Sequence, residues 1–240
     1  MLYQGKTNAE SYFPPILGNG DISLAPDCEG TLNYSFEQYE KKGLSAFDGI
    51  VVRCGRRSNN NYRVGQSKLF SFGKFVFSEG SQIEDWSQEL VEDKGYVQST
   101  CAYKDGAKIF TKSFIHPERN IYAINKTFEN VGKNKKFYYD FVLEGYSEAI
   151  DELTNILYAK KERDEACIGF RIYGMDIYSG EIRLCMNKEY KTEPIPNGMR
   201  FEFEASDGES VALFYYLEDN LESDDYIEAL NTMKKKIDGR

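Results

Sequence analysis

The stretch that decides the fold runs from Gly95 to Asn130, "GYVQSTCAYKDGAKIFTKSFIHPERNIYAINKTFEN". Val97, Ser99 and Cys101 share one parity, and after Lys104, Asp105 and Gly106 the return run Ala107 to Ile115 alternates again. A side-chain period of two marks a pleated strand with one face turned inward. Asp-Gly between two such runs is a strong hairpin signal, and the favoured two-residue turn asks both central residues for positive φ. After "HPERN", a third strand carries Ile121, Ala123 and Asn125 on one side and Tyr122, Ile124 and Lys126 on the other. The polar "VGKNKK" then reads as a turn into "FYYDFVLEG", which predicts a second hairpin and, with the first, an antiparallel meander.

The pattern extends in both directions. "KLFSFGKFVFSEG", from residue 68, reads as one strand kinked at Gly73. "ACIGFRIYG", "GEIRLCMNKEYKTEPIPNGMRFEFEAS" and "SVALFYYLE" read as further short strands parted by Gly, Pro and Asn turns, with Phe201 and Phe203 inward and Glu202 and Glu204 outward. Many short strands at near-regular spacing predict an all-β fold, a two-sheet antiparallel β-sandwich with a barrel as the alternative. That sandwich is assigned to residues 1–222. Residues 223–240 break the pattern: Ser223 and Asp224 stand in N-cap position, Tyr226, Ile227, Leu230, Met233 and Ile237 recur at helical spacing, and Lys234, Lys235 and Lys236 lie near the end. An amphipathic helix is expected there, lying on the sandwich or leading into a further domain.

Composition narrows the function classes. A formal charge of −9, from 39 acidic and 30 basic residues, repels polyanions and argues against nucleic-acid binding. No stretch approaches the roughly 18 apolar residues of a membrane span, and the start "MLYQGKTNAESYF" lacks the order of a signal peptide, so a cytoplasmic location and no membrane partner are expected. The five cysteines are widely spaced without a CxxC pair, which predicts reduced, mostly buried thiols.

Catalytic signals are sparse. The single histidine, His116, precedes Pro117 at a strand end and reads as a surface or capping residue, which leaves neither a histidine-based triad nor a multi-histidine zinc site. The acidic clusters read as solvated turns, and no phosphate loop of the GxGxxG or GxxxxGK type occurs. No catalytic residue, metal or cofactor is assigned. Binding candidates come instead from "PILGNGDISLAPD", Pro15 to Asp27, which feeds a strand Ile22 to Ala25. Gly18 and Gly20 allow close approach, Asn19 offers an amide and Asp21 accepts from a hydroxyl, so the loop suits either a turn or a polyhydroxylated ligand. Trp86 reads as a packing anchor or a sugar-stacking face. The Arg53, Arg56, Arg57 and Arg63 stretch reads as a surface loop or an anion or saccharide contact.

The order of these motifs resembles the N-terminal β-sandwich domain of glycoside hydrolases and phosphorylases of the family 65 type, and more loosely the family 95 fucosidases. The resemblance covers roughly residues 15 to 145: the "GNG" loop, Leu90 to Gly95, the Asp105-Gly106 turn, and Phe114 to Ala123. It implies a non-catalytic supersandwich domain, similar in shape to galactose mutarotase, followed by a linker helix and an (α/α)6 barrel that carries the catalytic acid. Asn19, Asp21 and Trp86 are then the carbohydrate-binding candidates at the active-site rim, the barrel and a carbohydrate substrate are the expected partners, and a homodimer is compatible. An accessory domain of this kind predicts no turnover alone and an exposed apolar patch where the barrel docks. Two other readings stand beside it. An autonomous carbohydrate-binding module needs an aromatic platform, and a mutarotase-like enzyme would normally want more than one histidine.

Overall fold

The computed structural model describes residues 2–5, 14–31, 49–54, 68–71, 73–78, 80–143, 154–162, 165–172 and 178–219. Every regular element among them is a strand: β1 (Leu2–Gly5), β2 (Leu17–Gly18), β3 (Ile22–Leu24), β4 (Val51–Cys54), β5 (Lys68–Ser71), β6 (Lys74–Ser78), β7 (Ile83–Val91), β8 (Tyr96–Tyr103), β9 (Lys108–Ile115), β10 (Ile121–Glu129), β11 (Lys135–Val142), β12 (Thr154–Glu162), β13 (Glu165–Ile172), β14 (Tyr178–Met186), β15 (Lys191–Ile195), β16 (Gly198–Ala205) and β17 (Ser210–Asp219). The proposed helix of residues 223–240, and Arg56, Arg57 and Arg63, lie outside the described residues.

A nine-stranded antiparallel sheet in the order β1-β7-β8-β9-β10-β17-β14-β13-β12 forms one layer. Facing it are two four-stranded sheets, β15-β16-β11-β6 and β2-β3-β4-β5. The expected all-β sandwich is therefore present, with its second layer divided in two. One apolar cluster joins all three sheets, including Tyr122 and Tyr215 of the large sheet, Phe75, Phe141 and Phe201 of one small sheet, and Leu17, Ile22 and Leu24 of the other.

Three local expectations are corrected. The Asp105-Gly106 turn does join β8 to β9, but only Gly106 has positive φ (92°), and Tyr103 and Ala107 close the loop through a 2.9 Å bond from the Tyr103 N–H. This is the three-residue hairpin with its glycine in the left-handed position, which leaves Asp105 free to accept from the Ala107 N–H at 3.1 Å. The "VGKNKK" turn does not make a hairpin. β10 pairs with β9 and β17, whereas β11 crosses to the facing sheet and pairs with β6 and β16. Likewise, the chain breaks at Gly73 into β5 and β6, which belong to different small sheets, so the expected kinked strand is a change of sheet.

Candidate functional site

The opening loop is held by one side chain. Asn19 Oδ1 accepts from the N–H groups of Asp21 and Ile22 at 2.9 and 3.0 Å, which closes the turn locally. Its Nδ2 donates outward to the carbonyls of His116 and Arg119 at 3.0 and 2.8 Å, so the loop is tied to the turn between β9 and β10. His116 is buried, which corrects the surface reading, and caps that turn as expected: its Nδ1 accepts from the Glu118 N–H at 3.1 Å. Asp21, half-buried, shares the Asn19 turn. Trp86 is on a different element, on the inner face of β7 opposite Cys101, and is 6% exposed within the apolar cluster.

Beyond Ala25 the chain runs between the layers, and the large sheet answers it with polar side chains. The registers place Gln88, Ser99, Thr111 and Lys126 directly opposite one another across β7, β8, β9 and β10, a polar row on the inner face, with buried Ser113 in the row beside it. Gln88 Nε2 donates to the carbonyls of Pro26 and Asp27 at 3.1 and 2.6 Å. Lys126 Nζ donates to the Glu29 carbonyl and, at 2.9 Å, to Thr111 Oγ1. From inward positions on either side of that row, Tyr122 Oη donates to the Gly30 carbonyl at 2.8 Å, and Tyr103 Oη donates to Glu29 Oε1 at 2.6 Å. Irregular backbone taken between two layers loses water for its carbonyls, and these donors replace it.

The crossing also caps itself. Asp27 Oδ1 accepts from the N–H groups of Glu29 and Thr31 at 3.0 and 2.7 Å, while its Oδ2 accepts from Thr31 Oγ1 at 2.8 Å. Gly30, φ 71°, passes so close to β9 that an added Cβ would stand 2.3 Å from Thr111 Cγ2. Lys126 is fully buried, with Nζ 4.3 Å from the centroid of the Phe77 ring in the facing sheet. Burial pushes its ammonium below the ordinary lysine range, and the Glu29 carboxylate pulls it back up.

This row is what the sequence reading missed. Its signal is present in the sequence, since Ser99 and Lys126 share the parity of apolar neighbours and a polar side chain at such a position requires a buried partner. Chemically the arrangement is a scaffold that fixes residues 15–31 on the sheet. Among the described residues no group of three or more His, Cys, Asp or Glu is placed to hold a metal ion. Ile16 is the one large apolar side chain left exposed among them, at 51%, so the described surface shows no broad apolar docking patch.

Strand order and layering define a supersandwich-type antiparallel β-sandwich. No family model matches the sequence, and no curated protein matches it. Among solved structures, one described as "Putative kojibiose phosphorylase from human microbiome" is similar, with a TM-score of 0.61 at 10% identity over 93% of this chain. The chain spans 32% of the length of that phosphorylase.

Proposed function

We propose that this chain is the non-catalytic N-terminal sandwich domain of a glycoside phosphorylase or glycoside hydrolase of the family 65 type. The observation that carries this reading is the likeness in fold along 93% of this chain to about a third of a phosphorylase chain, 32% of its length. The motif order from the "GNG" loop to the Phe114–Ala123 strand supports the same reading from the sequence side. In it, cleavage of the glycosidic bond belongs to a following barrel domain, where an acid assists departure of the leaving sugar through an oxocarbenium-like transition state.

The part played by this domain is to present the turn at residues 18–21 at the rim of the substrate cavity. Asn19 acts by position: its bonds to the turn and to residues 116 and 119 fix the loop, and the half-buried Asp21 beside it is the group to meet a sugar hydroxyl. Ile16 is the apolar contact offered to the neighbouring domain. Trp86, on the inner face of β7, packs within the apolar cluster.

Two measurements test the reading. The reading frame downstream of codon 240 is expected to continue for several hundred residues with helical-hairpin patterning, and the 240-residue chain alone is expected to neither hydrolyse nor phosphorolyse α-linked glucose disaccharides. Turnover by the chain alone, or a stop codon directly after Arg240, overturns it.

A further inference from the structure

The buried crossing of residues 26–30 brings two thiols together. Cys28 stands half-buried within it, and Cys101, buried on the inner face of β8, donates through Sγ to the Cys28 carbonyl at 3.1 Å. Cys101 Sγ thus lies against the backbone of Cys28, although 73 positions of sequence separate the two residues. Both are free. The other described free thiols, Cys167 and Cys185 on β13 and β14, are in register with Arg183 and Glu165 rather than with each other.

We propose that Cys28 and Cys101 are a dithiol that closes to a disulfide when it meets a small disulfide oxidant, fastening the crossing covalently to the large sheet. The half-buried Cys28 is the sulfur the oxidant reaches. Its thiolate attacks one sulfur of the oxidant, breaking the oxidant's S–S bond and expelling one thiolate to leave a mixed disulfide on Cys28. The Cys101 thiolate then attacks the Cys28 sulfur and expels the second thiolate. Two cysteines lose two electrons, the oxidant gains them, and the two protons leave on the two small thiols.

The surroundings set the pace of the first step. Asp27 and Glu29 flank Cys28, Tyr103 reaches the crossing from β8, and Lys126 reaches it from β10. The neighbouring Cys101 thiol, burial and the Asp27 charge all hold the Cys28 thiol above its ordinary range. Thiolate is the reacting form, so closure is slow at neutral pH and speeds up as the solution becomes alkaline. A cross-link spanning so long a loop restricts the unfolded chain strongly, so the oxidised protein gains stability.

The test incubates the full 240-residue chain with oxidised glutathione at mildly alkaline pH, then maps disulfides by mass spectrometry and measures Tm. A Cys28–Cys101 link with the loss of two hydrogens is expected, together with a Tm rise of about 5 °C or more that a reductant reverses. Cys101→Ser should retain glutathione on Cys28 and show no such rise. Glutathione remaining on Cys28 in the unaltered chain, a dominant link through any other cysteine, or a chain left fully reduced overturns the proposal. If the serine variant does not fold, the peptide map of the unaltered chain decides alone.

Discussion

Where β6, β11 and β16 cover the large sheet, its inner face is aromatic: Phe128 meets Phe137 at a tilt with 4.5 Å between centroids, and Tyr215 meets Phe75 edge-on at 6.3 Å. Where residues 26–30 cover the same face, it is polar, with Gln88, Thr111, Tyr122 and Lys126 all buried. The cover accounts for the difference. A strand brings its backbone groups already paired within its own sheet and asks only for apolar contact, whereas a loop brings unpaired carbonyls and asks for donors. One sheet face thus carries two chemistries because it lies under two kinds of backbone.

The contrast is broken most sharply from its aromatic side. Phe137→Ala removes a fully buried ring that packs on Phe77, Phe128 and Phe203, and about 3–5 kcal/mol should be lost in chemical denaturation. A loss under about 1 kcal/mol would mean that the two layers are loosely packed there. On the polar side, Gly30→Ala meets both the left-handed φ of 71° and the Thr111 methyl. Strain and overpacking together predict a loss of about 2–3 kcal/mol. An unaffected variant would show that the crossing is not held against β9.

How much of this was legible depended on the range of the interaction. The β8–β9 hairpin was readable because Asp105 and Gly106 sit inside the turn they form. β7 went unread, since its acidic outward residues Glu84 and Asp85 hid the inward parity of Trp86, Gln88 and Leu90. The step from β10 to β11 failed for a different reason: alternation says which face a residue takes, not which strand lies alongside. A clue lay in Ile121–Ile124, four consecutive buried residues, which suit a strand covered on both faces rather than a hairpin arm. In the loop, the glycines and Asn19 marked a turn, but the partners of Asn19 lie 97 and 100 residues away. Lys126 likewise reaches Glu29 across 97 positions. Local chemistry names the donors in such contacts, and only topology supplies the acceptors.

Lys126 sharpens the comparison through pH. Because burial lowers its ammonium below the ordinary lysine value, there is a range in which the fold holds it neutral while the unfolded chain still binds the proton. Stability contributed by this group therefore rises with pH through that range and levels off near the unfolded value of about 10.4. Lys126→Met removes the rise and leaves the Glu29 carbonyl and Thr111 hydroxyl without their donor, offset by relief of a buried amine. A net loss of about 1–2 kcal/mol is expected at neutral pH, widening as the solution is made alkaline. A difference between the two proteins that stays flat with pH would show the amine to titrate as an exposed lysine does.

The finest comparison uses two tyrosines, both fully buried, on either side of the boundary. Tyr122 Oη donates to the Gly30 carbonyl, so it serves the crossing, whereas Tyr139 Oη, on β11 among the rings of Phe75, Phe77 and Phe203, has no hydrogen-bond partner among the described residues. Removing the same atom should then have opposite consequences. Tyr122→Phe leaves the Gly30 carbonyl with only the longer 3.4 Å bond from Ser113 Oγ and is expected to cost about 1 kcal/mol, while Tyr139→Phe takes away an unpaired hydroxyl and is expected to be neutral or stabilising by up to about 1 kcal/mol. Urea denaturation of the two variants beside the unaltered chain reads the difference directly. Equal losses would mean that the hydroxyl of Tyr139 is as well served as that of Tyr122, and that the polar row extends under the strands as well as under the loop. Opposite signs would tie the polarity of this core to the irregular backbone that covers it.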